Sequence, residues 1–297
     1  VCGPESSNLD IWNISARRVV DSFLSGINSA LFSFGQTGSG KTWTMQGDWQ
    51  GSLSEEGRSK LEVEGISAMA LSHVLQTLHS RFGHSEEKWV CECSILEVYN
   101  DSVCDLLSRS TSDLCLRDDP SKGVWAEGAT TLRLRRREDV MKVVKTARSR
   151  LRFSSTAMNL RSSRSHLVIT VFLYLEDEER SAEKKEERIF RQSRLTLVDL
   201  AGNEKVSKSE ASGKTFREAT YVNRSLLALG AVLSALAKRT EHVPYRSSKL
   251  TFLLKDAIGV DSRICVIGHV NPDVQMCRES INTLNFMTFA QSIQTNP

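Results

Sequence analysis

Proline is scarce, 5 in 297 residues. Collagen-like and Pro-rich linker segments are therefore excluded. No run of about 18 consecutive apolar residues occurs, so no membrane span is expected. The opening Val1-Cys2-Gly3-Pro4-Glu5 lacks the charged-then-apolar pattern of a secretory signal. The 7 cysteines are odd in number and scattered, with no C-x-x-C pair. Reduced core thiols are expected, not zinc ligands or a disulfide framework. An excess of one charge is also missing: 39 basic against 36 acidic residues gives +3. Such a chain has no global field for nucleic acid, and any basic surface must be local. What is present is an ordinary globular balance, 40% hydrophobic and 25% charged. The length suits one large α/β domain, and residues 1–297 read as a single one.

Strand-like and helical patterns alternate, which predicts βα units around one sheet. Helices are expected over Asn8–Gly26, Ile66–Phe82, Arg135–Arg152, Ala219–Lys238, Tyr245–Ile258 and Met276–Ile293. Strands are expected over Ala30–Phe34, Trp89–Tyr99, His166–Leu175, Arg194–Leu200 and Arg263–Val270, with two more inside Leu114–Leu134. Asp48–Glu64 reads as a surface loop, and Glu176–Arg188 as a solvated hairpin tip.

Gly35-Gln36-Thr37-Gly38-Ser39-Gly40-Lys41-Thr42 fits G-x-x-x-x-G-K-[ST] between a predicted strand and a predicted helix. Glycines let backbone N–H groups turn inward toward phosphate oxygens, and the helix N-terminus adds positive potential. Lys41 is placed to reach the β- and γ-phosphates, and Thr42 to ligate Mg²⁺. Leu195-Thr196-Leu197-Val198-Asp199 ends an apolar strand with the acid such a site needs near its metal. Gly202 follows, with an N–H that can sense the γ-phosphate. No N/T-K-x-D guanine-reading segment is present, which favours ATP over GTP.

Three further segments give the chain a resemblance to the kinesin motor family. Asn159-Leu160-Arg161-Ser162-Ser163-Arg164-Ser165-His166 is similar to that family's first switch. Asp199-Leu200-Ala201-Gly202-Asn203-Glu204 is similar to its second, with Asn203 in place of Ser. His242-Val243-Pro244-Tyr245-Arg246-Ser247-Ser248-Lys249-Leu250-Thr251 resembles its H-[VI]-P-Y-R-N-S-K-L-T segment. The resemblance implies a three-layer P-loop NTPase fold with a mostly parallel or mixed central sheet flanked by helices. It implies an ATP- and Mg²⁺-dependent, microtubule-stimulated ATPase at work in the cytoplasm on the cytoskeleton. Ser163 would touch γ-phosphate and metal, completing a set with Thr42 and Asp199. Arg164 would pair with Glu204 across the closed site, and Gly202 would donate its N–H. Trp43 stands where the family often places a ring beside adenine; a core role is the equal alternative.

The resemblance also assigns a tubulin-facing surface to two basic stretches. Lys205, Lys208, Lys214 and Arg217 form one; His242, Tyr245, Arg246 and Lys249 lie in the other, which carries no acid up to Lys255. Local positive charge steers association with acidic tubulin. The stretch Arg133–Arg152, with nine basic and two acidic residues, has no family role. It reads as a solvated helix, or a nucleic-acid or other acidic partner's surface, and kinesin-like switches argue against nucleic acid.

Several departures stand out. The family's opening strands, with an R-x-R-P adenine contact, have no counterpart here, which leaves an apolar sheet edge beside Arg263–Val270. Phe252 sits where kinesins usually have a polar or basic residue, and Phe289 where the last helix normally has Arg. No heptad segment for dimerisation is seen. Lys122–Gly128 is similar to a segment of motors whose head lies at the C-terminus. A non-motile, nucleotide-modulated microtubule binder is the alternative function.

Overall fold

The computed structural model describes residues 1–3, 5–47, 64–83, 88–110, 112–120, 123–155, 164–177, 189–204, 214–259 and 261–293. Most of the expected Asp48–Glu64 loop and Glu176–Arg188 tip falls outside them.

Among the described residues nine strands are formed: β1 (Ser29–Gly35), β2 (Trp89–Tyr99), β3 (Ser102–Asp105), β4 (Leu116–Asp119), β5 (Gly123–Ala126), β6 (Leu132–Arg133), β7 (His166–Glu176), β8 (Phe190–Asp199) and β9 (Arg263–His269). The main sheet runs β3-β2-β7-β8-β1-β9, with β6 also on β2, while β4 and β5 form a separate hairpin. β1 pairs parallel with β8 and β9. The pairs β2–β3, β2–β6, β2–β7 and β7–β8 are antiparallel. The sheet is thus mixed rather than mostly parallel. Long hairpin-like pairing of β7 with β8, from Leu167 opposite Asp199 to Glu176 opposite Phe190, supplies much of the antiparallel part.

Side chains alternate across each strand, and each face has its own core. One face carries Leu31, Cys91, Cys93, Ile95, Ile169, Leu195 and Leu197. Against it pack α1 (Asn8–Ile11), a π-helical stretch (Trp12–Ala16), α2 (Arg17–Leu24), α4 (Ile66–Phe82) and α5 (Arg137–Ser155). The other face carries Phe32, Phe34, Leu96, Val98, Val168 and Val198 beneath α6 (Lys214–Ala237), α7 (Lys249–Leu253) and α8 (Cys277–Gln291). Phe34 stacks on Phe286 of α8, ring centroids 3.7 Å apart. α6 contains the one described stretch, Thr220–Ala237, long and apolar enough to cross a membrane. Its Val222, Leu226, Leu229, Val232 and Leu233 are buried in this second core, as in a core helix.

In the basic stretch, Arg135 and Arg136 donate backbone N–H bonds to Asp139, and Val140, Val143 and Val144 turn into the first core. β9 forms the outer edge of the sheet and has a strand partner on one side only, among the described residues. Val270, Val274, Ile281, Leu284 and Phe289 are exposed.

Candidate active site

β1 is buried throughout and feeds the loop that leads into α3 (Lys41–Gln46). Gly40 caps α3 at φ 97°, a left-handed conformation that strains any L side chain. Gly35 is required for a different reason. A Cβ there would lie 2.3 Å from the His269 carbonyl oxygen on neighbouring β9. Lys41 is only 7% exposed, and its Nζ donates to the Gln36 carbonyl at 2.7 Å. Burial pulls its ammonium below the ordinary lysine range, opposed by Asp199 and Glu204. Asn8, buried at the start of α1, donates to the carbonyls of Trp43 and Glu64, tying α3 to the first helix.

Asp199 ends β8 beside β1 and is also 7% exposed. Burial pushes its carboxyl above the usual range; hydrogen bonds with Thr42 and Ser33 and the charge of Lys41 hold it down. Ser33 Oγ donates to Asp199 Oδ1 at 3.1 Å. Thr42 and Asp199, two of the three residues expected at Mg²⁺, are therefore adjacent. The third, Ser163, lies outside the described residues.

Glu204 is held by the phosphate loop. Thr37 donates to its carboxylate twice, from the backbone N–H at 2.8 Å and from Oγ1 at 2.5 Å. Gly202 fits under this contact: a Cβ on it would come within 2.2 Å of Glu204 Oε2 and 2.3 Å of Thr37 Oγ1. The implied Arg164–Glu204 ion pair is not formed between these described residues. Thr37 already occupies both carboxylate oxygens.

Two histidines join the site that sequence reasoning did not single out. Ala201 N–H donates to His166 Nδ1 at 3.0 Å, so Nε2 carries the proton and faces Ser225 Oγ at 2.8 Å. Burial, and then Lys41, lower its pKa to about 3. One neutral ring thus bridges β7, the segment after Asp199 and helix α6. His269 hydrogen bonds to the backbone of Ser39, and burial with Lys41 lowers its pKa to about 4. Its Nε2 is buried with no partner among the described residues. The signal for His166 was its place at the end of the S-S-R-S-H segment; for His269 there was none, because β9 meets the loop only in space. Asn203, the departure from Ser, donates from Nδ2 to Thr283 Oγ1 of α8 at 3.1 Å. Trp43 is 43% exposed, so the core alternative is overturned.

The basic segment His242–Lys255 is less bare than its sequence implies. Lys249 Nζ binds Asp113 at 2.7 Å, and Lys255 Nζ binds Asp118 of β4 at 2.8 Å. Arg246 approaches Asp118 at 3.6 Å and lies over the Phe252 ring at 4.7 Å. Burial raises the Asp113 carboxyl, but hydrogen bonds from Lys249 and the Val103 N–H outweigh it and bring it below its usual range. His242 is exposed and Tyr245 half-buried. Lys205 and Lys208, and the side chains of Lys214 and Arg217, fall outside the described residues.

The family model described as the kinesin motor domain matches residues 1–293. Kinesin-like protein KIN-12C of Arabidopsis thaliana is 38% identical over 297 residues, covering 96% of this chain and 14% of that protein. Kinesin-like protein Klp61F of Drosophila melanogaster is 34% identical over 299 residues, 99% of this chain and 27% of that protein. The chain therefore spans a minor part of the length of these relatives. A solved structure of a fast kinesin superposes with a TM-score of 0.83 at 31% identity, covering 98% of this chain and 78% of that one. The phosphate loop, the acid at the end of β8 and the Gly202–Glu204 turn sit in a fold of the same kind, and the chain belongs to the kinesin motor domain family.

Proposed function

We propose that the chain is an ATP-dependent microtubule motor head that hydrolyses ATP with Mg²⁺ and couples switch closure to microtubule binding and movement. The observation that carries this reading is the meeting of Lys41, Asp199, Gly202 and Glu204 around the loop Gly35–Thr42. A buried cation and the left-handed glycines Gly38 and Gly40 suit a triphosphate cradle. Thr42 and Asp199 supply the oxygen donors that suit Mg²⁺. When bound, that ion neutralises charge on the β- and γ-oxygens. Lys41 holds the phosphates, Gly202 offers its N–H to the terminal one, and Glu204, released from Thr37, turns to Arg164 to hold the attacking water. His166 carries a shift at Ala201 to Ser225 on α6, and Asn203 carries it to Thr283 on α8. Tubulin is the partner that the basic segment His242–Lys255 fits.

Phosphate release measured with and without microtubules tests this directly. Stimulated turnover is expected; turnover indifferent to microtubules refutes the motor reading. The alternative is a nucleotide-modulated microtubule binder without turnover. It draws on β9, whose outer edge is unpaired among the described residues although its last residue packs on the phosphate loop. Nucleotide-dependent co-sedimentation with no phosphate release would select it.

A further inference from the structure

The motor reading leaves the basic helix α5 without a task. Its apolar residues Val140, Val143 and Val144 turn into the first core. Its charged side turns outward, where Arg137, Lys142 and Lys145 are exposed, with Arg136 just before the helix. Lys142 and Lys145 are three residues apart, so they are neighbours on one helical face. Neither makes a side-chain hydrogen bond or ion pair among the described residues.

The nearby acids do not cancel this charge. Glu64 is taken by Arg137 at 3.1 Å. Glu92 stands opposite Arg133 across the β2–β6 pair. Asp139 accepts the backbone N–H bonds of Arg135 and Arg136 and closes the start of the helix. Glu138 lies one turn before Lys142. Six cations between Arg133 and Lys145 thus meet four acids, and residues 146–155 of α5 add Arg148, Arg150 and Arg152 with no acid. α4, packed alongside, contains no Asp or Glu either.

This row faces away from the surface proposed for tubulin. α5 packs on the first core, whereas α6 and α7 pack on the second, across the sheet. Two helical layers, each about 10 Å across, separate the two outer surfaces by more than about 20 Å. Screening at physiological salt acts over about 8 Å, so the two basic surfaces act independently. None of the exposed residues in 137–146 is aromatic or apolar. The row therefore lacks the stacking rings that grip single-stranded nucleic acid and the apolar face that enters a lipid surface. A solvated row of cations fits an acidic protein surface.

We propose that this row is a second docking surface for the acidic face of a microtubule, so that one chain bridges two filaments. The inference rests on the motor reading, which places the first filament against the His242–Lys255 side. Carboxylates on the second filament meet Lys142, Lys145 and their basic neighbours. With no apolar contact to add, this second contact is the weaker and the more salt-sensitive of the two.

The test mixes the chain with microtubules of two colours in a non-hydrolysable ATP analogue at low salt. Fluorescence microscopy scores co-aligned pairs, and co-sedimentation at filament concentrations too low for pairing measures single-filament binding. Wild type should align filaments. Lys142→Glu with Lys145→Glu should cut aligned pairs about tenfold and leave ATP affinity and, within about twofold, single-filament affinity unchanged. A charge-matched control reverses two exposed cations elsewhere, Arg263→Glu with Arg278→Glu, and should align filaments as wild type does. Single-filament binding without alignment in wild type overturns the proposal and leaves the motor reading standing. Alignment that survives Lys142→Glu with Lys145→Glu, or that is lost equally in the control, also overturns it. Failure of wild type to co-sediment at all removes the motor reading and the proposal with it. Duplex DNA bound by wild type and released by the same double reversal, with filaments left unaligned, assigns the row to nucleic acid instead.

Discussion

The Thr37–Glu204 contact makes a quantitative prediction about the chemical step. Glu204 is proposed to leave Thr37 before it meets Arg164, so the contact stabilises the inactive arrangement. Thr37→Val removes the Oγ1 bond at 2.5 Å and keeps the backbone bond at 2.8 Å. Hydrogen bonds to a charged group contribute about 1.5–3 kcal/mol. This carboxylate is partly exposed, which reduces the effect to about 1 kcal/mol. The population of released Glu204 then rises about fivefold. Single-turnover phosphate formation, with enzyme in excess over ATP and no microtubules, reads that population directly. Thr37→Val should speed this phase about fivefold. In a Glu204→Ala background, where there is nothing to release, it should change nothing. A Thr37→Val variant as slow as Glu204→Ala refutes the latch, as does an equal effect of Thr37→Val in both backgrounds.

Further expectations concern binding, stability and the filament surface. Lys41→Met should weaken ATP affinity about 100-fold or more without lowering the melting temperature of the nucleotide-free chain, because a buried cation is costly to keep; retained micromolar affinity in a binding titration contradicts its role. His269→Ala should raise the KM for ATP, and His269→Asn, whose amide can replace the ring's bond to Ser39, should restore it; equal KM values for both variants contradict the positioning role. His166 has its folded pKa lowered from 6.5 to about 3, so the unfolded chain binds the proton first and stability falls as pH drops below about 6.5. That loss reaches about 2 kcal/mol at pH 5, and chemical denaturation of wild type against His166→Gln should show its pH slope shrink; identical slopes contradict it. Asp113→Asn should free Lys249 and tighten microtubule co-sedimentation about two- to fivefold, with steeper salt dependence; unchanged salt dependence contradicts the charge argument.

The phosphate loop and the strand ending at Asp199 were legible because their chemistry is local: glycines, Lys41 and a buried acid sit within a few residues of their structural cause. Long-range pairings were not. The segment His242–Lys255 reads as bare positive charge because its acids, Asp113 and Asp118, lie more than a hundred residues earlier in the chain. The Arg164–Glu204 pair was implied by the resemblance, and Thr37 competes for the same carboxylate through proximity that only folding creates. β8 begins at Phe190 and not at Arg194, because the polar Arg191, Gln192 and Ser193 hide the strand pattern in the sequence, yet Phe190–Ser193 pairs with Leu173–Glu176. The helix expected over Asn8–Gly26 is interrupted by a π-helical stretch at Trp12–Ala16, to which apolar periodicity is blind.

In the proposed motor, nucleotide contacts at Gly202 and Glu204 are relayed through His166 to α6 and the basic surface. Microtubule affinity in ADP against a non-hydrolysable ATP analogue measures that coupling. A coupling of about 1–3 kcal/mol, seen as a roughly 5- to 150-fold difference in dissociation constant, is predicted. Equal affinities in the two nucleotides would contradict the account.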